Sequence, residues 1–258
     1  MKKLIPLFSL VLFILSCTEN EGIELPTVST DPLSGLNLID NDSLSFSDSV
    51  SFAPLDRDSL NYLALGDSYT IGQGVQITET WPKLLENAIE NKIGLEINTQ
   101  IIAESGMTTK ELIYAIKESN ILESYGLVSL LIGVNNQFRG MKIDHFREEF
   151  IQLIDQSIAF TNNNVNRVFV LSIPDWSATP FGQSFDFRSN RIEIDKFNNI
   201  IKIICSEKGV DYFDITEISR LASSQSSLLV EDQLHPSKKM YQLWVDQIIK
   251  DVLDKLGN

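Results

Sequence analysis

Beyond Arg57, apolar and polar positions follow a repeating order in which short apolar runs alternate with longer segments whose apolar residues recur every three or four positions. Tyr62-Leu63-Ala64-Leu65 is too short for a stable helix and runs into Gly66-Asp67-Ser68 and a loop with Gly72 and Gly74, which reads as a buried strand ending in a sharp turn. Thr80-Trp81-Pro82 opens a helix with a capping residue and an early proline, and Trp81, Leu84, Leu85, Ala88 and Ile89 share one face. Glu96–Ala103 reads as a second strand. Thr108-Thr109-Lys110-Glu111 fits a capping box and starts a helix facing inward through Leu112, Ile113 and Ile116. Leu127–Ile132 is nearly all apolar, as in a central parallel strand covered on both faces. A helix from about Asp144 to Phe160, a strand Arg167–Ile173, a helix from about Arg191 to Glu207 and a short strand Asp211–Ile215 come next. Tyr241, Trp244, Val245, Ile248, Ile249, Val252 and Leu256 then mark an amphipathic C-terminal helix. Strands alternating with helices predict a three-layer α/β/α sandwich with a mostly parallel sheet. No internal repeat is apparent, and Pro174–Arg188 and Ser219–Pro236 stand out as long connections, a length often associated with function.

The pattern changes before Arg57. Met1-Lys2-Lys3 precedes an apolar run, Leu4–Leu15, too short to span a bilayer and laid out like a secretory signal. Its end, Leu15-Ser16-Cys17, resembles the lipobox of bacterial lipoproteins, which implies cleavage after residue 16 and acylation of Cys17. The alternative is an ordinary signal with an incidental cysteine. From Thr18 to Arg57, acidic residues mix with Ser, Thr, Asn and Pro without sustained periodicity, which reads as a flexible acidic tether. As a random coil, about 40 such residues reach roughly 35 Å. The expected organisation is a signal over 1–16, an anchor and tether over 17–57 and a folded domain over 58–258, held at the bacterial cell envelope by lipid rather than by a spanning helix. Glu19 and Glu21, just after Cys17, resemble a surface-export signal, so both the periplasmic and the surface face stay open.

Composition narrows the partners. A chain of 258 residues with 43% hydrophobic residues can bury one substantial core. Its net charge of −14 disfavours nucleic acid, whose phosphates are bound by Lys and Arg. With Cys17 acylated, Cys205 has no disulfide partner, and its place on an apolar helical face reads as core packing. Few histidines, no zincin-type motif and no cysteine pair leave no metal-ligand spacing, and no cofactor is expected.

Ser68 lies just past a first strand, where open α/β sheets bind ligands, and so is a candidate nucleophile, although Asp67-Ser68 also fits plain turn chemistry. A nucleophilic serine needs a base, an orienter and oxyanion donors. Of the two histidines, His145 opens a polar-faced helix and reads as a surface residue. His235 lies in Glu231-Asp232-Gln233-Leu234-His235-Pro236-Ser237, a polar loop before the last helix, with Ser237 as that helix's expected cap. An aspartate three residues earlier, Asp232, can reach Nδ1 and leave Nε2 to face Ser68; a solvated turn is the alternative. Gly106, in a strand-to-helix turn, offers a backbone N–H, and Asn135, in Gly133-Val134-Asn135 after the central strand, offers a side-chain amide; each is also a commonplace turn.

Taken together and in order, Gly66-Asp67-Ser68, Gly106, Gly133-x-Asn135 and Asp232-x-x-His235 resemble the SGNH, or GDSL-type, hydrolase family, over about Leu60 to Leu256. The resemblance implies a flavodoxin-like fold and serine-dependent ester hydrolysis. It also implies Ser68 as nucleophile and first oxyanion donor, Gly106 and Asn135 as second and third, His235 as base and Asp232 as its orienter. The residue two after Ser68 is Thr70, unlike the Gly-x-Ser-x-Gly elbow of α/β-hydrolases. Expected substrates are acyl-glycans, lysophospholipids or small acyl esters. Alternatives are an acyltransferase or thioesterase with the same triad, and a catalytically silent binding lipoprotein, against which the complete residue set argues. In the long connection after the fourth strand, Trp176, Phe181 and Phe185 are candidates to wall an acyl pocket or stack on a sugar, or else pack over the sheet edge. Arg139 is a candidate contact for a substrate carboxylate or phosphate, or else a surface residue.

Overall fold

A computed structural model of the protein describes residues 59–257. The signal, Cys17 and the tether expected from the sequence lie outside the described residues. In chain order the elements are β1 (Ser59–Gly66), α1 (Ser68–Ile71), α2 (Trp81–Ile93), β2 (Glu96–Ala103), α3 (Thr109–Glu118), β3 (Leu127–Leu131), α4 (Val134–Phe138), α5 (Ile143–Ala159), β4 (Val168–Leu171), α6 (Phe187–Lys208), β5 (Asp211–Phe213), α7 (Thr216–Arg220) and α8 (Lys238–Leu256). Single 3₁₀ turns occupy parts of the connections.

The described strands make one parallel sheet in the order β2-β1-β3-β4-β5. Every residue of β3 and β4 is buried, as their nearly continuous apolar runs require, because helices cover both faces of the sheet. α2 packs on α8 in one layer, and α3 on α5 and α5 on α6 in the other. The expected three-layer sandwich is therefore the observed one. The large buried side chains Trp81, Phe146, Phe150, Phe169, Tyr241 and Trp244 fill the spaces between sheet and helices. No described helix is long and apolar enough to cross a membrane.

Two features of the sheet bring the candidate residues together. The chain leaves β1 for β2 on one side and then returns to β3 on the other, so the β1–β3 junction is a topological switch point. The register also aligns Gly66 with both Ala103 and Leu131, so β1, β2 and β3 reach their carboxyl ends at one level. The residues after them, Ser68, Gly106 and Asn135, consequently emerge along one rim.

Local differences from the sequence pattern have local causes. α6 begins at Phe187, four residues before the expected Arg191, because Asp186 caps it by accepting from Ser189 N–H. β4 and β5 stop at Leu171 and Phe213, where Ser172 N–H still reaches Phe213 O but the ladder ends. Thr108 and Glu111 form the predicted capping box. Thr80 and Ser237 occupy N-cap positions without capping by side chain, since their hydroxyls donate instead to Ile77 O and Ser227 O.

Candidate active site

β1 ends in Gly66, where a Cβ would lie 2.1 Å from Thr70 Oγ1 and 2.7 Å from Leu131 O, so only glycine admits this close turn beneath β3. The chain bends directly into the short helix α1. Asp67 caps it, accepting from Tyr69 N–H at 3.0 Å, and Ser68 is its first residue. The apolar pattern predicted the strand and the turn; it did not predict a helix this short.

Ser68 Oγ lies 3.0 Å from His235 Nε2, and His235 Nδ1 lies 2.6 Å from Asp232 Oδ2. Both Ser68 and His235 are buried, although they are 167 positions apart in sequence. The histidine loop is shaped by its own residues. Asp232 Oδ1 accepts from the N–H groups of Leu234 and His235, each at 2.9 Å, and Val230 N–H closes the loop on His235 O. An Asp232 carboxylate engaged on Nδ1–H holds the tautomer in which Nε2 accepts from a hydroxyl. Burial works against that carboxylate, but the hydrogen bonds from His235 N–H, the His235 ring and Leu234 N–H outweigh it and hold its pKa below the usual range.

Gly106 stands third in the turn Glu104–Met107, closed by Met107 N–H on Glu104 O at 3.3 Å, with φ of 86°. A positive φ at that place is the signature of a type II turn and excludes most other residues. Asn135 lies in α4, just past β3, and its Nδ2 donates to Met107 O at 3.0 Å, with a longer contact of 3.4 Å to Asp67 Oδ2. The neighbouring Asn136 ties the same region to α3, accepting from Thr109 N–H and donating to Thr109 Oγ1.

Ser68, Gly106, Asn135 and His235 line one cavity of about 180 Å³, together with Tyr69, Gln73, Val134, Phe138, Trp176, Phe181 and Leu234. Trp176 is buried and donates through Nε1 to Gln137 Oε1 at 2.7 Å, whereas Phe138, Phe181 and Phe185 are exposed. The four rings contact one another edge to face or tilted, with centroids 5.1 to 6.4 Å apart. Trp176 and Phe181 thus both border the cavity, Trp176 as a buried side chain and Phe181 as an exposed one. Arg139, the other candidate contact, is engaged with the protein itself, donating to Gly106 O at 2.6 Å and to Glu111 Oε1 at 3.2 Å. His145 is exposed, and Cys205 is buried with its thiol pushed up to about 12 by burial. Tyr69, Phe138 and Leu234 adjoin candidate residues in sequence and were legible by proximity; Gln73 carries no sequence signal for the site. A larger cleft of about 550 Å³ lies by β5 and α8, lined by Asp211, Tyr212, Asp251 and Lys255 among others, and has no nucleophile beside a base. Among the described residues, no group of three or more His, Cys, Asp or Glu side chains is arranged to hold a metal.

A doubly wound parallel sheet with a serine, histidine and aspartate joined at its switch point defines an α/β fold with a serine-hydrolase type of site. Residues 64–243 match the GDSL-like lipase/acylhydrolase family, and the chain belongs to that family. It is a carboxylic ester hydrolase. Among solved structures it is similar to a lipase/acylhydrolase from Enterococcus faecalis, with 18% identity, 76% of this chain and 96% of that one covered, and a TM-score of 0.61. It is also similar to an acetylxylan esterase from Geobacillus stearothermophilus, with 16% identity, coverage of 77% and 94%, and a TM-score of 0.59. A psychrotrophic esterase from Pseudoalteromonas sp. aligns at 21% identity over 77% of this chain and all 100% of that one, with a TM-score of 0.55. At these identities the likeness establishes the fold. No curated protein matches the sequence.

Proposed function

We propose that the protein is a membrane-tethered serine esterase that hydrolyses small acyl esters, acetylated glycans among them, through Ser68, His235 and Asp232. The observation that carries this reading is the continuous hydrogen-bonded chain from Ser68 Oγ through the His235 ring to Asp232 Oδ2.

In the proposed reaction, His235 Nε2 takes the Ser68 proton as Oγ attacks the ester carbonyl, and Asp232 stabilises the imidazolium that forms. The oxyanion is met by the N–H groups of Ser68 and Gly106 and by the Asn135 amide. One Asn135 proton stays on Met107 O; the other, held only by the long contact to Asp67, turns to the oxyanion. The imidazolium returns its proton to the departing alcohol. Water then attacks the acyl-enzyme with His235 again as base, releasing the acid and restoring Ser68.

A small substrate acyl group is favoured by the cavity, whose volume of about 180 Å³ is well under the roughly 300–1,000 Å³ of drug-sized pockets. The activity by which the Geobacillus neighbour is named, acetylxylan esterase, agrees with an acetylated glycan as one such substrate. Lysophospholipids fit less well, since a long acyl chain must extend beyond the cavity across the exposed Phe138 and Phe185.

Two measurements test the proposal. A fluorophosphonate probe should label wild type at Ser68, and Ser68→Ala should lose both labelling and turnover of acetyl esters while melting at nearly the wild-type temperature. Rates across a series of nitrophenyl esters should fall as the acyl chain lengthens. Undiminished turnover by Ser68→Ala rejects the triad, and a preference for long chains rejects the small-acyl assignment.

A further inference from the structure

Arg139 comes directly after the last residue of α4, and its backbone N–H donates to Asn135 O at 3.1 Å. Its guanidinium reaches back over the neighbouring turn. Nη2 donates to Gly106 O at 2.6 Å, and Nη1 donates to Glu111 Oε1 and Oε2 at 3.2 and 3.3 Å. Glu111 is in turn the carboxylate that caps α3, accepting from Thr108 N–H at 2.7 Å and Thr108 Oγ1 at 2.8 Å. One side chain therefore ties together the helix that carries Asn135, the turn that carries Gly106 and the start of α3.

We infer that Arg139 is a positioning residue, which clamps the Gly106 turn to α4 and so sets the spacing and direction of two oxyanion donors, the Gly106 N–H and the Asn135 amide. The inference rests on the proposed esterase activity. The turn needs such a clamp because its own closure, Met107 N–H on Glu104 O, is long at 3.3 Å. A glycine with φ of 86° has no side chain to hold it, and rotation of the Ser105–Gly106 peptide toward a type I turn would point the Ser105 carbonyl where the Gly106 N–H belongs. Such a rotation replaces attraction for an oxyanion with repulsion. Asn135 and Asn136 fasten the chain at Met107 and Thr109, after the glycine. Arg139 fastens Gly106 itself.

The geometry also distinguishes this role from a direct substrate contact. Both terminal nitrogens of the guanidinium are already used within the protein, Nη2 on a carbonyl and Nη1 on a carboxylate. Both partners of the ion pair are about half exposed, so the pair adds little to global stability and its loss is read in rate rather than in melting.

The test uses Arg139→Ala, Arg139→Lys and Glu111→Gln in the otherwise intact protein, assayed on a neutral acetyl ester and on an anionic ester with the same acyl group. Losing an oxyanion donor costs about 100- to 1,000-fold and a misplacement near 1 Å about 100-fold, so Arg139→Ala should lower kcat by about 10- to 100-fold. The loss should be equal on both esters, with KM changed less than about twofold. Arg139→Lys, which keeps one donor toward Gly106 O, should recover part of the rate, and Glu111→Gln should fall between the two. Hydrogen exchange over residues 104–109 should quicken in Arg139→Ala without a drop in melting temperature. An active wild type with an unimpaired Arg139→Ala overturns this inference alone. So does a change confined to KM for the anionic ester, which would make Arg139 a substrate contact. A wild type that turns over no ester and takes no fluorophosphonate overturns the esterase reading and this inference with it.

Discussion

Asp67 precedes the proposed nucleophile and has no exposed surface. Burial pushes its carboxyl up to about 7, against the opposing hydrogen bonds from Tyr69 N–H and the Asn135 amide. In the unfolded chain the group has an ordinary pKa near 4. Between about pH 4 and 7 the folded state therefore binds the proton that the unfolded state has released, so this group subtracts stability as pH rises through that window and no further above it. Replacement by asparagine keeps an oxygen for Tyr69 N–H and removes the ionisation. Asp67→Asn should melt close to wild type at pH 4 and progressively above it up to pH 8, with a gain of at most about 4 kcal/mol. A difference that stays constant across pH would show that Asp67 ionises normally. Above about pH 7 the same substitution also changes what the Asn135 amide faces, from a carboxylate to a neutral amide, and so has an effect on rate there. The adjacent Asp67 and Ser68 thus differ in role: the first caps and braces the turn, and the second is placed at the base.

At the scale of elements, the site is made of segment ends rather than segments. Each strand of the β2-β1-β3 trio stops at the same level and passes at once into a capped or glycine-bearing turn. The fourth wall is built differently. After β4 the chain enters a 3₁₀ turn, Trp176–Ala178, capped by the buried Asp175, which accepts from Ser177 N–H and Ser177 Oγ. Its other oxygen accepts from Arg220 Nε at 2.8 Å, and Arg220 also pairs with Asp195 and Glu217. Removing Asp175 takes away the one buried carboxylate of Arg220 and leaves it only the exposed Asp195 and Glu217, and Asp175→Ala should cost about 3 kcal/mol in urea unfolding. The same variant should weaken the preference for short acyl chains, since Trp176 is held in the cavity wall by that turn and by Gln137. A loss below about 0.5 kcal/mol would show that Arg220 is served well enough by its exposed carboxylates. The capping box of α3 was readable in the sequence because both partners lie within four residues. The Asp175–Arg220 pair was not, because its members are separated by 45 positions and meet only when the turn after β4 packs against α7.

For the whole molecule, residues 1–58 and the described domain answer different questions. The proposed anchor at Cys17 predicts that the protein sediments with membranes and that Cys17→Ala releases it in soluble form with unchanged specific activity on a water-soluble ester. Incorporation of labelled palmitate into wild type alone would tie the effect to acylation; membrane association of Cys17→Ala would reject the anchor. The domain's own logic is that of its sheet. The reversal of strand order at β1 opens the crevice in which Ser68 and Asn135 stand side by side, while the loop before α8 brings His235 over the same edge.

The alternation of apolar runs and amphipathic segments was enough to read five strands and the long helices α2, α3, α5, α6 and α8, because burial on one face or both leaves its period in the local sequence, whereas the short helices α1, α4 and α7 span too few residues to show one. The four ordered motifs were legible for a similar reason: glycine at tight turns, Asp232 three positions from His235, and Asn135 just past a strand are short-range requirements. Tertiary structure alone decided which atoms meet. The 3.0 Å contact between Ser68 and His235, the burial that raises Asp67, and the commitment of Arg139 to Gly106 and Glu111 join residues 28 to 167 positions apart, or depend on what surrounds one group on all sides. Periodicity records which face of an element is dry. It carries no record of which distant turn the sheet will bring to within hydrogen-bonding distance.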